Sequence, residues 1–408
     1  MINYSNNKDY KQIIKEYDIP ESMYSAVIPM IEAKAKGIMN TIPDIEEVDD
    51  LIDSFDAVVS IGLSKEYIDK RSFNQMISIR ELLQNALDEA ELTSGKPDAN
   101  VSKDKYGLWI EDSGRGINIE AFRMGGNSKE TWMRGFYGEG LKLAASYLTL
   151  HDIPVYFFSK DNVYRFIVLN KDLANPSIFL LLGKTKKEIT GTKILLSKFN
   201  VDESEIKKLV RFWNPELKDT KIAEEYFSSK DCDKEMPSAI FNYPDSLYIR
   251  NMFVGKMSDV AKREGLLSYD LWWFRLDVSR KLMSQNVPLL FIEIGKVLSR
   301  SEPARKIFVE KLVESGMLKL NPLSGGTTIE FNPIFATIEG HLFVYTCPKG
   351  MIDTFIDVLG LKEQREKIRR VESVDEAKEA IDAGYLPMQL HYELTEELNV
   401  IPPFRDKK

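Results

Sequence analysis

The stretch 72–196 constrains the fold more than any other part of this chain: one long helical pattern is followed by short β-prone runs separated by glycine-bearing turns. Ser72 and, three residues on, Gln75 have the spacing of a capping box, which predicts a helix running to about Leu92. At about 100° per residue, Glu81, Asn85 and Asp88 fall within an arc of about 60°. Leu82, Leu83, Ala86, Leu87 and Ala90 take the opposite side, so the helix has an apolar back for a sheet and a polar front. Strands are predicted at 106–111, 155–158, 163–169, 178–182 and 192–196, with helices near 119–124 and 138–150. Helices on one face of a mostly hairpin-connected sheet describe an α+β chain built as an α/β sandwich.

With 408 residues, and roughly 100–200 per domain, the chain has room for two to four domains. Hydrophobic residues at 43% and charged residues at 29% fit a globular protein rather than a disordered one. A net charge of −8 argues against a broad basic coat for non-specific nucleic-acid binding. Cys232 and Cys347 are too few for a disulfide framework or a cysteine zinc site, and His151, His341 and His391 too few for a histidine-rich metal centre. The start, MINYSNNKDYKQ, carries no apolar signal core, and no apolar run is long enough to cross a bilayer, so no membrane association and a cytoplasmic location are expected. The punctuation divides the chain into a helical extension at 1–70 with one late apolar stretch (57–63), an informative domain at 71–200, a mixed domain at 201–340, and an α/β segment and tail at 341–408 with charged helices such as EQREKIRR.

Four groups of residues carry chemistry. On the helix front, the Asn85 amide oxygen suits magnesium, and the Glu81 carboxylate one turn earlier suits deprotonation of an attacking water; a solvated polar face is the alternative reading. Next, Asp112 ends a strand and is followed by Gly114 and Gly116, a turn that lets the backbone approach a flat ligand while the carboxylate accepts from an exocyclic amine. Then GGNSKETW leads into GFYGEGLKLA, where Gly135, Gly138, Gly140 and Leu141 open an apolar helix; backbone amides at such a start suit a phosphate cradle, with Ser128, Lys129 and Lys142 as nearby donors, and a flexible loop with an ordinary helix start is the alternative reading. This run is neither the Walker A nor the Rossmann spacing. Last, Gly191 and Thr192 precede the strand KILL, where a threonine hydroxyl could help to fix a group held by Asp112, a pair that by itself means almost nothing.

In this order and spacing the four groups resemble the GHKL superfamily of DNA gyrase, the 90-kDa heat-shock chaperones, histidine kinases and MutL-type repair proteins. ELLQNALDEA resembles the family's N box, EDSGRGI its G1 box, GFYGEGLKLA its G2 box and ITGTKILL its last box. The resemblance implies a Bergerat-type ATPase domain using ATP and Mg2+. Glu81 is then the general base, Asn85 the magnesium ligand, Asp88 a support for the pocket, and Asp112 the partner of the adenine amine, with Gly116 and Thr192 beside it. The loop from about Gly125 to Gly140 is the implied ATP lid. Ser113 departs from the pattern, since many members carry Asn there.

The layout is most similar to stand-alone MORC-like or phage-type members, which implies a nucleotide-gated clamp or switch closing as a homodimer on ATP, with room for a nucleic-acid or protein client. No histidine precedes His151, which disfavours the sensor histidine kinases. A protein kinase of the same superfamily and an ATP-sensing scaffold are the alternatives. Residues 201–340 sit where a transducer domain follows the ATPase domain in such proteins; YIRNMFVG (248–255) reads as a strand pair, and Lys256, Arg275, Arg280 and Lys281 are candidates for the cation that reaches the γ-phosphate. No Glu plus DxD cluster of a DNA-cutting metal site is present.

Overall fold

The computed structural model describes residues 3–4, 8–29, 48, 50–70, 73–122, 130–135, 139–169, 176–229, 232–260 and 265–274, parts of 276–314, and short strands beyond. The chain is α+β, with mixed helices and mostly antiparallel sheets, and divides into two compact units, Met1–Leu209 and Val210–Lys408.

The first unit is built on a seven-stranded sheet. In chain order its strands are β1 (Asn3–Tyr4), β2 (Val27–Pro29), β3 (Ile52–Ser64), β4 (Ala99–Lys103), β5 (Gly107–Asp112), β6 (Val155–Leu169) and β7 (Ser177–Ser197). β7 is the spine. β6 runs antiparallel along one edge of it, while β3 pairs with its first half and β5 with its second half along the other. β4 extends the sheet beyond β5, and β1 and β2 both pair with β3. The runs predicted at 155–158 and 163–169 are therefore one strand, as are those at 178–182 and 192–196. A register shift on either side of Lys160 lets β6 bend without ending.

The helical expectation for 1–70 is corrected here. A helix, α1 (Tyr10–Glu16), is present, but the apolar stretch 57–63 lies inside the thirteen-residue β3. Its Val, Ile and Phe side chains suit a pleated surface buried on both faces, and eight of its residues are buried. Helices α2 (Lys65–Asp69), α3 (Gln75–Ser94) and α4 (Gly140–Leu150) follow; the helix expected near 119–124 is a single 3-10 turn, Ile119–Phe122.

Period-2 alternation sorts the sheet's two faces. Phe55, Val58, Trp109, Tyr156, Phe158, Leu181 and Leu195 form one core cluster. Residues of opposite parity face the helices: Phe122 packs edge-on or tilted against Phe157, Tyr164 and Phe166 at ring-centroid distances of 5.1–5.5 Å. Helix α3 packs on α4, β4 and β5, and α4 packs on β6. Leu82, Leu83 and Leu87 are completely buried, each contributing about 1.5–3 kcal/mol.

The second unit carries a five-stranded sheet of β8 (Lys221–Ser229), β9 (Cys232–Phe241), β10 (Leu247–Ile249), β11 (Met252–Gly255) and β12 (Ser268–Leu271), in the order β11-β10-β12-β9-β8. The strand pair expected at 248–255 is the antiparallel β10–β11 hairpin. Its core gathers Ile240, Leu247, Tyr269, Leu271, Ile294 and Leu298. Among the described tail residues, Leu342–Tyr345 pairs in parallel with Ile368–Arg370 and Tyr385–Met388. Residues 368–370 are thus extended, not the end of the charged helix expected there. β-Branching at Ile368 and pairing with an apolar strand outweigh the charge pattern.

Candidate functional site

Helix α3 is capped by Asn74, whose side chain accepts from the Ile77 N–H at 2.8 Å. This corrects the capping box expected at Ser72, which lies outside the described residues; Asn74 competes equally well for the cap, and the helix starts one residue after it. The helix ends at Gly95, in the left-handed conformation.

The polar front of α3 is not a solvated face. Glu81 and Asp88 are each 1% exposed. The Glu81 carboxylate sits 3.5 Å from the Arg80 guanidinium. Asn85 is half-buried and donates its amide nitrogen to the Glu81 carbonyl at 2.6 Å, which turns the nitrogen end back onto the helix. Asp88 accepts from the backbone N–H groups of Arg134 (2.9 Å) and Gly135 (2.8 Å), one through each carboxylate oxygen. The Arg134 guanidinium lies 3.4 Å from Asp88 and 2.8 Å from Glu91. Asp88 thereby ties the segment that enters the second glycine run to the helix. Arg134 and Glu91 were not among the sequence candidates; the (i, i+3) spacing of Asp88 and Glu91 on one helix face was the available signal.

Three strands bring the second cluster together. Asp112 and Thr192 are direct partners across β5 and β7. Both share the parity of Ile110 and Ile194, opposite to Trp109 and Leu195, so both project toward the helices. Asp112 is 8% exposed, and burial pushes its carboxyl up to about 6. The Gly114 and Thr192 amides pull the other way, and the Glu89 carboxylate raises it a little further. The Gly114 N–H donates to Asp112 Oδ1 at 2.8 Å. Glu89 is itself held by Arg115, with contacts of 2.8 and 3.1 Å.

Two glycines there are structurally required. Gly191 has φ +71, and a Cβ would stand 2.0 Å from the Asp112 carbonyl oxygen. Gly116 has φ +84, and a Cβ would stand 2.5 Å from Ser159 Oγ. Ser159, fully buried on β6, accepts from the Ile117 N–H at 2.9 Å and donates to the Gly191 carbonyl at 3.0 Å. It was also absent from the sequence candidates; nothing local in Phe158-Ser159-Lys160 marks it.

At the glycine run, Gly135 and Gly140 are buried, and Gly140 and Leu141 begin α4. Lys142 is buried in the first turn, and desolvation lowers its ammonium pKa against an opposing pull from Glu139. Ser128, Lys129 and Gly138 lie outside the described residues, as do Arg275, Arg280 and Lys281; Lys256 is exposed.

The donor set fits the expected ligands. Magnesium held by one amide oxygen, waters and phosphate oxygens suits Asn85 and needs no cage of protein carboxylates. Among the described residues no group of three or more His, Cys, Asp or Glu side chains is arranged to hold a metal ion. An exocyclic amine suits the Asp112 carboxylate as an acceptor; the glycines beside it serve close contacts within the protein, with Glu89 at Gly114, Ser159 at Gly116 and the Asp112 carbonyl at Gly191. Among the described residues, no helix is long and apolar enough to cross a membrane. No protein-family model matches this chain, and no curated protein does either.

Proposed function

We propose that the first unit is a Bergerat-type nucleotide site of the GHKL kind, which binds ATP with Mg2+ and hydrolyses it to ADP and phosphate. The reading rests above all on one observation: the polar front of α3 is buried rather than solvated, and its helix packs against the strand that ends in Asp112. Burying two carboxylates on a single helix face is costly unless they are partnered or put to use. Asp88 is partnered by Arg134 and two backbone amides, and Glu81 lies 3.5 Å from the Arg80 guanidinium.

In this reading Asp112 accepts from the adenine amine, with Gly114, Gly116 and Thr192 around the base. Asn85 holds magnesium, which when bound offsets the negative charge of the phosphates. Gly135, Gly140, Leu141 and Lys142 belong to the phosphate end, and Asp88 anchors the backbone that leads into it. Glu81 takes the proton of the attacking water as the terminal phosphoanhydride bond breaks. ATP binding promotes closure or pairing of two copies, and hydrolysis resets the state. A nucleic acid or protein client is the load on such a switch.

Replacing the base tests this directly. Glu81→Ala is expected to keep ATP affinity within a few-fold while kcat falls about 10²–10⁴-fold. Titration calorimetry and a phosphate-release assay on the same preparation measure both; unchanged turnover removes Glu81 from the role.

A further inference from the structure

We infer that Ser159 is a positioning residue for the base end of this site: its buried hydroxyl clamps the turn after β5 to the left-handed point of β7 at Gly191, and so sets where Asp112 meets its ligand. The inference rests on the nucleotide reading above for the ligand, but the clamp itself is a matter of the protein alone.

Two segments must keep a constant spacing for the Asp112 carboxylate to point one way. One is Ser113–Ile117, which supplies the Gly114 N–H to Asp112. The other holds Gly191, whose Cα lies so near the Asp112 carbonyl that no side chain fits between them. The hydroxyl of Ser159 bonds both, accepting from the Ile117 N–H at 2.9 Å and donating to the Gly191 carbonyl at 3.0 Å. Gly116 leaves just the room this requires, since a Cβ would reach within 2.5 Å of Ser159 Oγ.

The backbone places the hydroxyl there by design of the strand. Phe158 pairs with Lys193, and the register of β6 then shifts at Lys160, which has φ +54. Bulges of this kind re-aim side chains beside functional sites. By alternation from Phe158, which belongs to the far-face core, Ser159 projects to the same face as Asp112 and Thr192. Three neighbouring strands thus contribute a carboxylate, a threonine and a serine to one row. An apolar residue at 159 would leave the part-buried Ile117 amide and the buried Gly191 carbonyl without this hydroxyl.

The test measures steady-state kinetics and a proton titration on the full chain. Ser159→Ala is expected to raise the KM for ATP about tenfold, the worth of one net hydrogen bond, while kcat stays within about twofold. In the nucleotide-free protein the Asp112 carboxyl, followed by carbon NMR, is expected to titrate at higher pH. The reason is that the Gly114 and Thr192 amides hold it down in the intact protein, while the nearby Glu89 carboxylate, paired to Arg115, is untouched by the change. Ser159→Cys keeps a small side chain with weak donor and acceptor capacity; it falls between the two and serves where the alanine variant does not fold. An unchanged KM, or a fall in kcat with KM intact, overturns the assignment. If the unsubstituted chain binds no ATP, the nucleotide reading fails by itself. The Asp112 titration then decides the clamp: an upward shift sustains it and an unmoved one removes it.

Discussion

At Asp112 one carboxylate faces two opposed demands. Burial favours its protonated form and raises it from an ordinary 3.8 to about 6, whereas recognition of an amine needs an acceptor. For stability the sign follows from that shift. Below about pH 4 both folded and unfolded chains hold the proton and nothing is lost. Between about 4 and 6 the unfolded chain releases its proton first, so the folded state weakens as pH rises, and above 6 the whole loss, up to about 3 kcal/mol, persists. Asp112→Asn keeps an oxygen for the Gly114 N–H and removes the charge. Thermal melts without nucleotide should therefore show the variant more stable at pH 7–8, with the gain vanishing toward pH 4, while calorimetry shows weaker ATP binding. In the unsubstituted chain, ATP affinity should fall as pH drops through about 6. A variant less stable at pH 8 and unchanged in affinity contradicts both assignments. The candidate status of Asp112 was legible from the strand-then-glycine pattern; its raised pKa was not, because desolvation depends on β7 and α3 closing around it.

Among elements, α3 shows how much a helix front depends on its neighbours. The spacing of Glu81, Asn85 and Asp88 is visible in one line of sequence, but a wheel cannot tell a solvated stripe from a buried one. The difference is made by Arg134, 46 residues beyond Asp88, whose guanidinium reaches Asp88 and Glu91 and whose backbone, with that of Gly135, fills the Asp88 oxygens. Arg134→Met should destabilise the first unit by about 3–5 kcal/mol, because it leaves the buried Asp88 and the half-buried Glu91 without their cation. Urea unfolding measures this, and a change under 1 kcal/mol means that the backbone amides suffice. The second unit uses the same device at a turn. Arg250 and Asn251 both adopt left-handed φ (+54 and +67) without glycine. Asp270 accepts from the Asn251 N–H at 2.9 Å and Arg211 at 3.0 Å, and the Arg250 side chain donates to the Trp272 carbonyl at 2.9 Å. Those bonds offset the backbone strain where Asn-Gly is the usual choice.

For the molecule as a whole, the first unit has its own sheet, its own helices and apolar cover on both faces of the sheet. Residues 1–209 expressed alone should accordingly unfold in one cooperative transition and bind ATP as the full chain does; a molten fragment, with exposed apolar surface and no sharp melt, refutes this autonomy. Removing residues 1–70 should abolish folding, since β3 pairs along half of β7. What the sequence determined by itself was local: helix α3 with its apolar back and polar front, the glycines at 114, 116 and 191, and the β-prone runs of β5, β6 and β7. These follow from periodicity and from backbone freedom, which neighbours along the chain already express. Only the tertiary structure decided that β3 joins the sheet, that Ser159 bridges the segments beside Asp112, that Arg134 reaches Asp88, and that Glu81 and Asp88 are buried. Each of these depends on register between strands or on a partner dozens of residues away, and pairing across such distances is set by how the core packs, not by any neighbouring residue.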